Sequence, residues 1–257
     1  MQQSAQQNVT RDSVDPEAVD EADYAAARSY VYRLFALAFE YPDDARLAAL
    51  RTGDPGAQLR AAVTAIMPDS MHEIDWQAFN LIGEGDELQV EYTRLFDAGP
   101  SGPPCSLHEG AHQQSRMGTL EELVRFYNYF GLSRADEPND LPDHLSTELE
   151  FLHYLSHCEA VLTQDGEDFT NYQRAQRDFL LRHPIKWLAK LKNKLVQHHA
   201  AGFYRELMVL LNAFLNHDIE QLINQVGRGK QDLGISLTTI DELPTKPEQE
   251  NDVDGVL

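Results

Sequence analysis

Apolar residues recur every three to four positions along most of the chain between Tyr24 and Val226. That spacing lines them up on one face of an α-helix. In Tyr24–Phe39 the stripe is Ala27, Val31, Leu34, Phe35 and Ala38, and the helix is predicted to stop at Tyr41-Pro42, because proline has no N–H to continue it. Leu47–Leu50 and Leu59–Met67 read as short helical pieces separated by Gly53, Pro55 and Gly56. Glu87–Phe96 reads as a helix ended by Gly99-Pro100, with a rigid, proline-rich loop at Ser101–Pro104. Thr119–Phe130 turns Leu120, Leu123, Val124, Tyr127 and Phe130 inward and closes at Gly131. A polar linker with two prolines, Ser133–Pro142, comes next. Beyond it helices are predicted from about Asp143 to Leu162, over Phe169–Arg182, over Ile185–His199 and over Phe203–Val226. Pro184 stands at the start of the third of these, where its missing N–H costs least. No run of alternating β-branched residues predicts a sheet. The fold class is therefore all-α, a helical bundle whose halves, residues 23–132 and 143–236, are joined by a hinge at 133–142. Residues 1–22 and 237–257 are polar, acidic and aperiodic, and are expected to be disordered tails.

Charge narrows the function. The chain has 257 residues, with 42 acids against 21 lysines and arginines, for a net charge of −21. Such a balance excludes general nucleic-acid binding and attraction to an anionic membrane. No window holds the ~18 consecutive apolar residues of a membrane span. The opening residues lack the apolar core of a secretory leader. Cys105 and Cys158 are too few for a disulfide framework. A cytoplasmic protein is expected. One local exception to the acidity is the run Arg174, Arg177, Arg182, Lys186, Lys190, Lys192, Lys194 and Arg205, whose only interspersed acid is Asp178. It reads either as a solvated helix face or as a surface that docks an acidic patch of a partner.

The sharpest chemical motif is His108-Glu109-Gly110-Ala111-His112. On a regular helix, histidines at i and i+4 share a face and bind zinc while the glutamate activates water. The context argues against that use. Pro103 and Pro104 precede the motif, and Gly110 disfavours helix by roughly 1 kcal/mol relative to alanine. No phosphate-cradling glycine loop and no activated nucleophile stands out. No catalytic residue, metal or cofactor is assigned.

Four blocks, in order, carry a family resemblance over residues 24–226. The first runs from Arg28 to Asp43 and ends in Tyr41-Pro42-Asp43. The second is Glu91-Tyr92-Thr93-Arg94-Leu95-Phe96, leading to Gly99-Pro100. The third is Pro142-Asp143-His144-Leu145, followed by Glu148-Leu149-Glu150-Phe151-Leu152. The fourth joins Phe179-Leu180 to His183 and Trp187, then Phe203-Tyr204 to Leu207. Together they resemble the TorD/DmsD/NarJ family of redox-enzyme maturation chaperones. In that family a Pro-Pro-Tyr-Glu-Ser-x-Tyr-like segment usually follows the Gly-Pro pair. Here Pro104-Cys105-Ser106-Leu107-His108-Glu109-Gly110-Ala111-His112 stands in its place, with histidines where tyrosines are common.

The resemblance implies a non-enzymatic chaperone. Its partner is the apo-catalytic subunit of a molybdopterin oxidoreductase, bound through a twin-arginine signal or N-terminal region before cofactor insertion and export. Carboxylates suit the guanidinium forks of such a signal, and an apolar floor suits the stretch behind them. The client-binding residues it implies are Glu91, Tyr92, His108, Glu109, His112, Pro142, Asp143 and His144. Asp143 has a competing reading as the N-cap of the helix that follows. Neither nucleic acid nor membrane insertion is expected, and the hinge would let a monomer form a domain-swapped dimer. Two alternatives stand beside this: a zinc-dependent hydrolase using His108, Glu109 and His112, and a helical adaptor with an unrelated client.

Overall fold

The computed structural model describes residues 21–68, 74–80, 85–100, 102–132 and 141–227. The predicted hinge, apart from Leu141 and Pro142, and the predicted tails, apart from Glu21 and Ala22, lie outside the described residues. Within them there are nine α-helices and no strand: α1 (Glu21–Ala38), α2 (Asp44–Thr52), α3 (Pro55–Thr64), α4 (Glu87–Tyr92), α5 (Arg116–Tyr129), α6 (Leu145–Asp165), α7 (Thr170–Arg182), α8 (Pro184–Gln197) and α9 (Gly202–Val226).

Local chemistry fixes several boundaries. Asp43 and Asp54 cap α2 and α3 by accepting the Arg46 and Ala57 backbone N–H groups at 2.9 and 2.8 Å, each such cap being worth about 1 kcal/mol. Pro184 opens α8, as expected. Gly166 ends α6 in the left-handed conformation, φ 72°. The helix predicted over Glu87–Phe96 differs from expectation. It is α-helical only to Tyr92 and finishes as a wider π turn over Thr93–Asp97. The turn's Leu95 carbonyl accepts the Cys105 N–H at 2.9 Å, so it holds the start of the following loop.

The most extensive helix contact is α1 against α6, while α7 and α8 both pack on α9. The buried apolar residues form one continuous cluster from Val31 to Leu222, drawn from both sides of the predicted hinge. Behind the third sequence block this core is aromatic. Phe151 and Phe179 lie 4.7 Å apart, centroid to centroid, with Phe126 at 5.3 Å from Phe179 and Tyr127 at 4.9 Å from Phe151. Rings meeting edge to face in this way add about 0.5–1.5 kcal/mol per pair beyond their burial. They make a rigid platform under the N-terminus of α6.

Candidate functional site

The loop before α5 lies flat along the entrance of α6. Leu145 N–H donates to the Leu107 carbonyl, and Glu109 N–H to the Asp143 carbonyl, both at 2.8 Å. His108 and His144 thereby form an isolated antiparallel bridge, with their rings 5.0 Å apart and edge to face. Pro142 is held from below, its carbonyl accepting the Tyr127 hydroxyl at 2.8 Å. Six of the eight predicted residues, His108, Glu109, His112, Pro142, Asp143 and His144, are brought together here.

Their carboxylates are buried. Asp143 has no exposed surface. Its carboxylate accepts from His108 Nδ1 and from the Gly110 N–H, both at 3.1 Å. Burial alone would raise its pKa, but the hydrogen bond and charge of His108, with the Gly110 N–H and Arg116, outweigh burial and hold it below the ordinary carboxylate value. Asp143 is not the helix cap: that role falls to His144, whose Nδ1 accepts the Ser146 N–H at 3.2 Å. Glu109 is also buried, accepting from His183 Nδ1 at 2.9 Å and from Gln113 Nε2 at 3.1 Å. What remains accessible is the imidazole edge, since the His108 side chain is 33% exposed.

Beneath lies a third carboxylate. Glu148 is fully buried and accepts the Trp187 indole N–H at 3.3 Å. Burial first, then the neighbouring charge of Glu109, raises its pKa well above the ordinary value, with the Trp187 hydrogen bond opposing. The His112 ring stacks on Trp187 at 5.0 Å and its Nε2 donates to the Ser106 carbonyl at 2.8 Å.

The His-Glu-x-x-His stretch therefore does not form the helix that zinc chemistry needs. Glu109–Ala111 is a single 3-10 turn, with His108 in extended conformation. Its two imidazoles address Asp143 and Ser106 respectively. Among the described residues no group of three or more His, Cys, Asp or Glu side chains could hold a metal ion.

The other two predicted residues belong elsewhere. Tyr92 sits among Tyr41, Phe96 and Tyr204 at 5.1–6.1 Å, with its hydroxyl on the Phe39 carbonyl at 3.2 Å. Burial pushes its pKa up to about 12. Glu91 pairs with Arg94 at 2.7 Å and accepts the Ala201 N–H, also at 2.7 Å, at the start of α9. Tyr204 continues into an apolar groove of about 340 Å³ between the end of α1, α2, α3 and α9, walled by Leu34, Leu37, Leu50, Leu59 and Phe203. Leu37 is 44% exposed on its rim. Sequence reasoning did not single out the groove, nor His183, Glu148 and Trp187 as parts of the site. The last three all stood in the quoted motif blocks. A histidine and a glutamate inside otherwise apolar helical runs were the signal available.

Comparisons with known proteins identify the family to which this all-α scaffold belongs. The sequence profile of the nitrate reductase delta subunit family matches residues 83–193. The perchlorate reductase assembly chaperone protein of Dechloromonas aromatica is 30% identical over 214 residues, spanning 81% of this chain and 96% of that protein. The dimethyl sulfide dehydrogenase assembly chaperone protein of Rhodovulum sulfidophilum is 33% identical over 215 residues, 79% of this chain and 84% of that protein. The chlorate reductase assembly chaperone protein of Ideonella dechloratans is 40% identical over 112 residues, 43% of this chain and 58% of that protein. The chain belongs to the TorD/DmsD/NarJ family of redox-enzyme maturation chaperones. Its relatives are named as assembly factors, not as catalysts.

Proposed function

We propose that this protein is the dedicated chaperone of one molybdopterin oxidoreductase. It binds the apo-catalytic subunit in the cytoplasm and shields its twin-arginine signal or N-terminal region while the cofactor is inserted. The near-full-length likeness to the perchlorate reductase assembly chaperone protein carries this reading. The client's apolar stretch occupies the groove beside Leu37 and Tyr204, with Tyr92 and Glu91 bracing its wall. The His108–His144 edge meets the client, and Asp143 and Glu109 hold that edge in place from beneath. Burying about four apolar side chains gives roughly 6–12 kcal/mol gross. Ordering a flexible peptide offsets much of that, so micromolar affinity, about −8 kcal/mol, is the expected range. Weak binding of this kind permits release. The protein works as a monomer with a minor domain-swapped dimer.

Affinity capture from the native cytosol, with mass spectrometry of the captured proteins, tests the reading. Enrichment of one molybdoenzyme catalytic subunit, lost on competition with a peptide of its first residues, is the expected result. Capture without any such subunit would overturn it.

A further inference from the structure

Helix α8 is out of character with the rest of the molecule. Between Pro184 and Gln197 it carries Lys186, Lys190, Lys192 and Lys194 and no acid, in a chain of net charge −21. Lys186 and Lys190 are exposed one turn apart. Both line a polar cleft of about 420 Å³ between the start of α5 and the junction of α7 with α8.

The acids of that cleft are already engaged. Glu109 is held by His183 and Gln113, and Glu122 is paired with Arg182. The charge of the two lysines is therefore not neutralised within the cleft. Lys190 donates to the His112 carbonyl at 3.0 Å, which uses one of the three N–H groups an ammonium offers. One further donor stands at the cleft wall. Arg182 Nε is buried and has no hydrogen-bond partner among the described residues. Arg182 Nε can only donate, so what it lacks is an acceptor. His183 is engaged on both sides, its Nδ1 on Glu109 at 2.9 Å and its Nε2 facing the Glu122 carboxylate at 3.9 Å. A buried donor left unmatched is costly, and an incoming carboxylate would supply the acceptor that Arg182 lacks.

The shape of the charge says what carries that carboxylate. Lys186, Lys190 and Lys194 recur every four residues, a row about 12 Å long on a helix rising 1.5 Å per residue. A small free anion would need the cleft alone. An extended peptide at about 3.3 Å per residue covers such a row with about four residues.

We propose that the cleft and the lysine row of α8 form a docking surface for an acidic, extended segment of a protein partner, with one carboxylate seated between Arg182 and Lys186. That the partner is the client enzyme rests on the chaperone reading above; the surface itself does not.

The test uses the full chain and a fluorescein-labelled decaglutamate peptide at about 0.1 M salt, where screening acts beyond about 10 Å. Saturable binding is expected despite the protein's net negative charge. Zero-length carbodiimide cross-links should map to Lys186, Lys190 and Lys194. The exposed double variant Lys186→Ala/Lys190→Ala should weaken binding about tenfold at unchanged melting temperature. Equal binding by the double variant, or none by the parent, overturns the proposal. So does inorganic pyrophosphate binding in place of the peptide, which would make the cleft a site for phosphate compounds. Failure here with intact client capture removes this surface alone; failure of the capture removes the chaperone reading and leaves the peptide result standing.

Discussion

Glu148 shows how much a single buried residue can load onto a fold. Its Oε2 takes the Trp187 indole N–H, while Oε1 has no hydrogen-bond partner among the described residues. Burial and the nearby Glu109 raise its pKa well above 4.5, the ordinary glutamate value. The folded chain therefore keeps a proton that the unfolded chain releases above about pH 4.5. Stability supplied by this proton is complete below that pH and is lost as pH rises through the raised value. Glutamine has the shape of the protonated acid and never ionises. Glu148→Gln is accordingly expected to melt higher than the parent at neutral pH, by about 2–4 °C for each kcal/mol recovered. The gain should close as pH falls toward 4.5. Thermal denaturation followed by circular dichroism across that range would decide it, and a gain independent of pH would refute the assignment to ionisation.

At the level of elements, the site depends on a loop and a helix entrance lying closer together than side chains permit. A Cβ placed on Gly110 would stand 2.8 Å from Asp143 Oδ2 and 2.6 Å from Arg116 Cγ. The glycine that argued against a zinc helix is thus what lets the Asp143 carboxylate reach the Gly110 N–H at 3.1 Å. Gly110→Ala should push the loop off α6. Loss of the Gly110 hydrogen bond to a buried carboxylate costs about 1.5–3 kcal/mol. A melting temperature lower by several degrees is expected, with client-peptide affinity reduced as well. Unchanged affinity in the alanine variant would mean that the His108–His144 edge is not where the client binds.

The same elements show what a sequence can and cannot convey. Helix positions were legible because apolar spacing and Pro184 are local signals. The caps Asp43 and Asp54 are equally local but went unread, and the aspartate offered as a cap, Asp143, is not one. The π turn after Tyr92 was not, because its apolar residues follow helical spacing up to Phe96. The residue types of the site were legible in the motif blocks. Their exposure was not: Asp143 and Glu109 suggested open carboxylates, yet each is closed off by a histidine distant in sequence, at 108 and 183 respectively. The apolar groove escaped for the same reason, being assembled from α1, α2, α3 and α9.

On the scale of the whole molecule, the long-range tie is Arg28. It lies in the buried stripe of α1, with 1% of its surface exposed. From there its guanidinium reaches Asp218 on α9 at 2.5 Å, Glu159 on α6 at 3.0 Å and Gln176 on α7 at 2.5 Å. Tyr32 adds its hydroxyl to the same Asp218 at 2.5 Å, and Gln176 Nε2 donates to Glu159 at 2.7 Å. One cation thus joins the first helix to three helices that follow the predicted hinge. Removing a buried partner leaves the others charged and unmatched, at a cost of about 3–5 kcal/mol. Arg28→Ala should lower the melting temperature by on the order of 10 °C. Its second consequence bears on assembly. In a domain-swapped dimer α1 of one copy would meet α6 to α9 of the other and remake the same ties, so the network opposes exchange through the barrier to opening, not through the end state. Weakening it should speed exchange and leave the final dimer fraction little changed. Size-exclusion chromatography of parent and variant, mixed at high concentration and sampled over time, separates the two effects. A variant that melts lower yet exchanges no faster would show that opening does not pass through the Arg28 contacts.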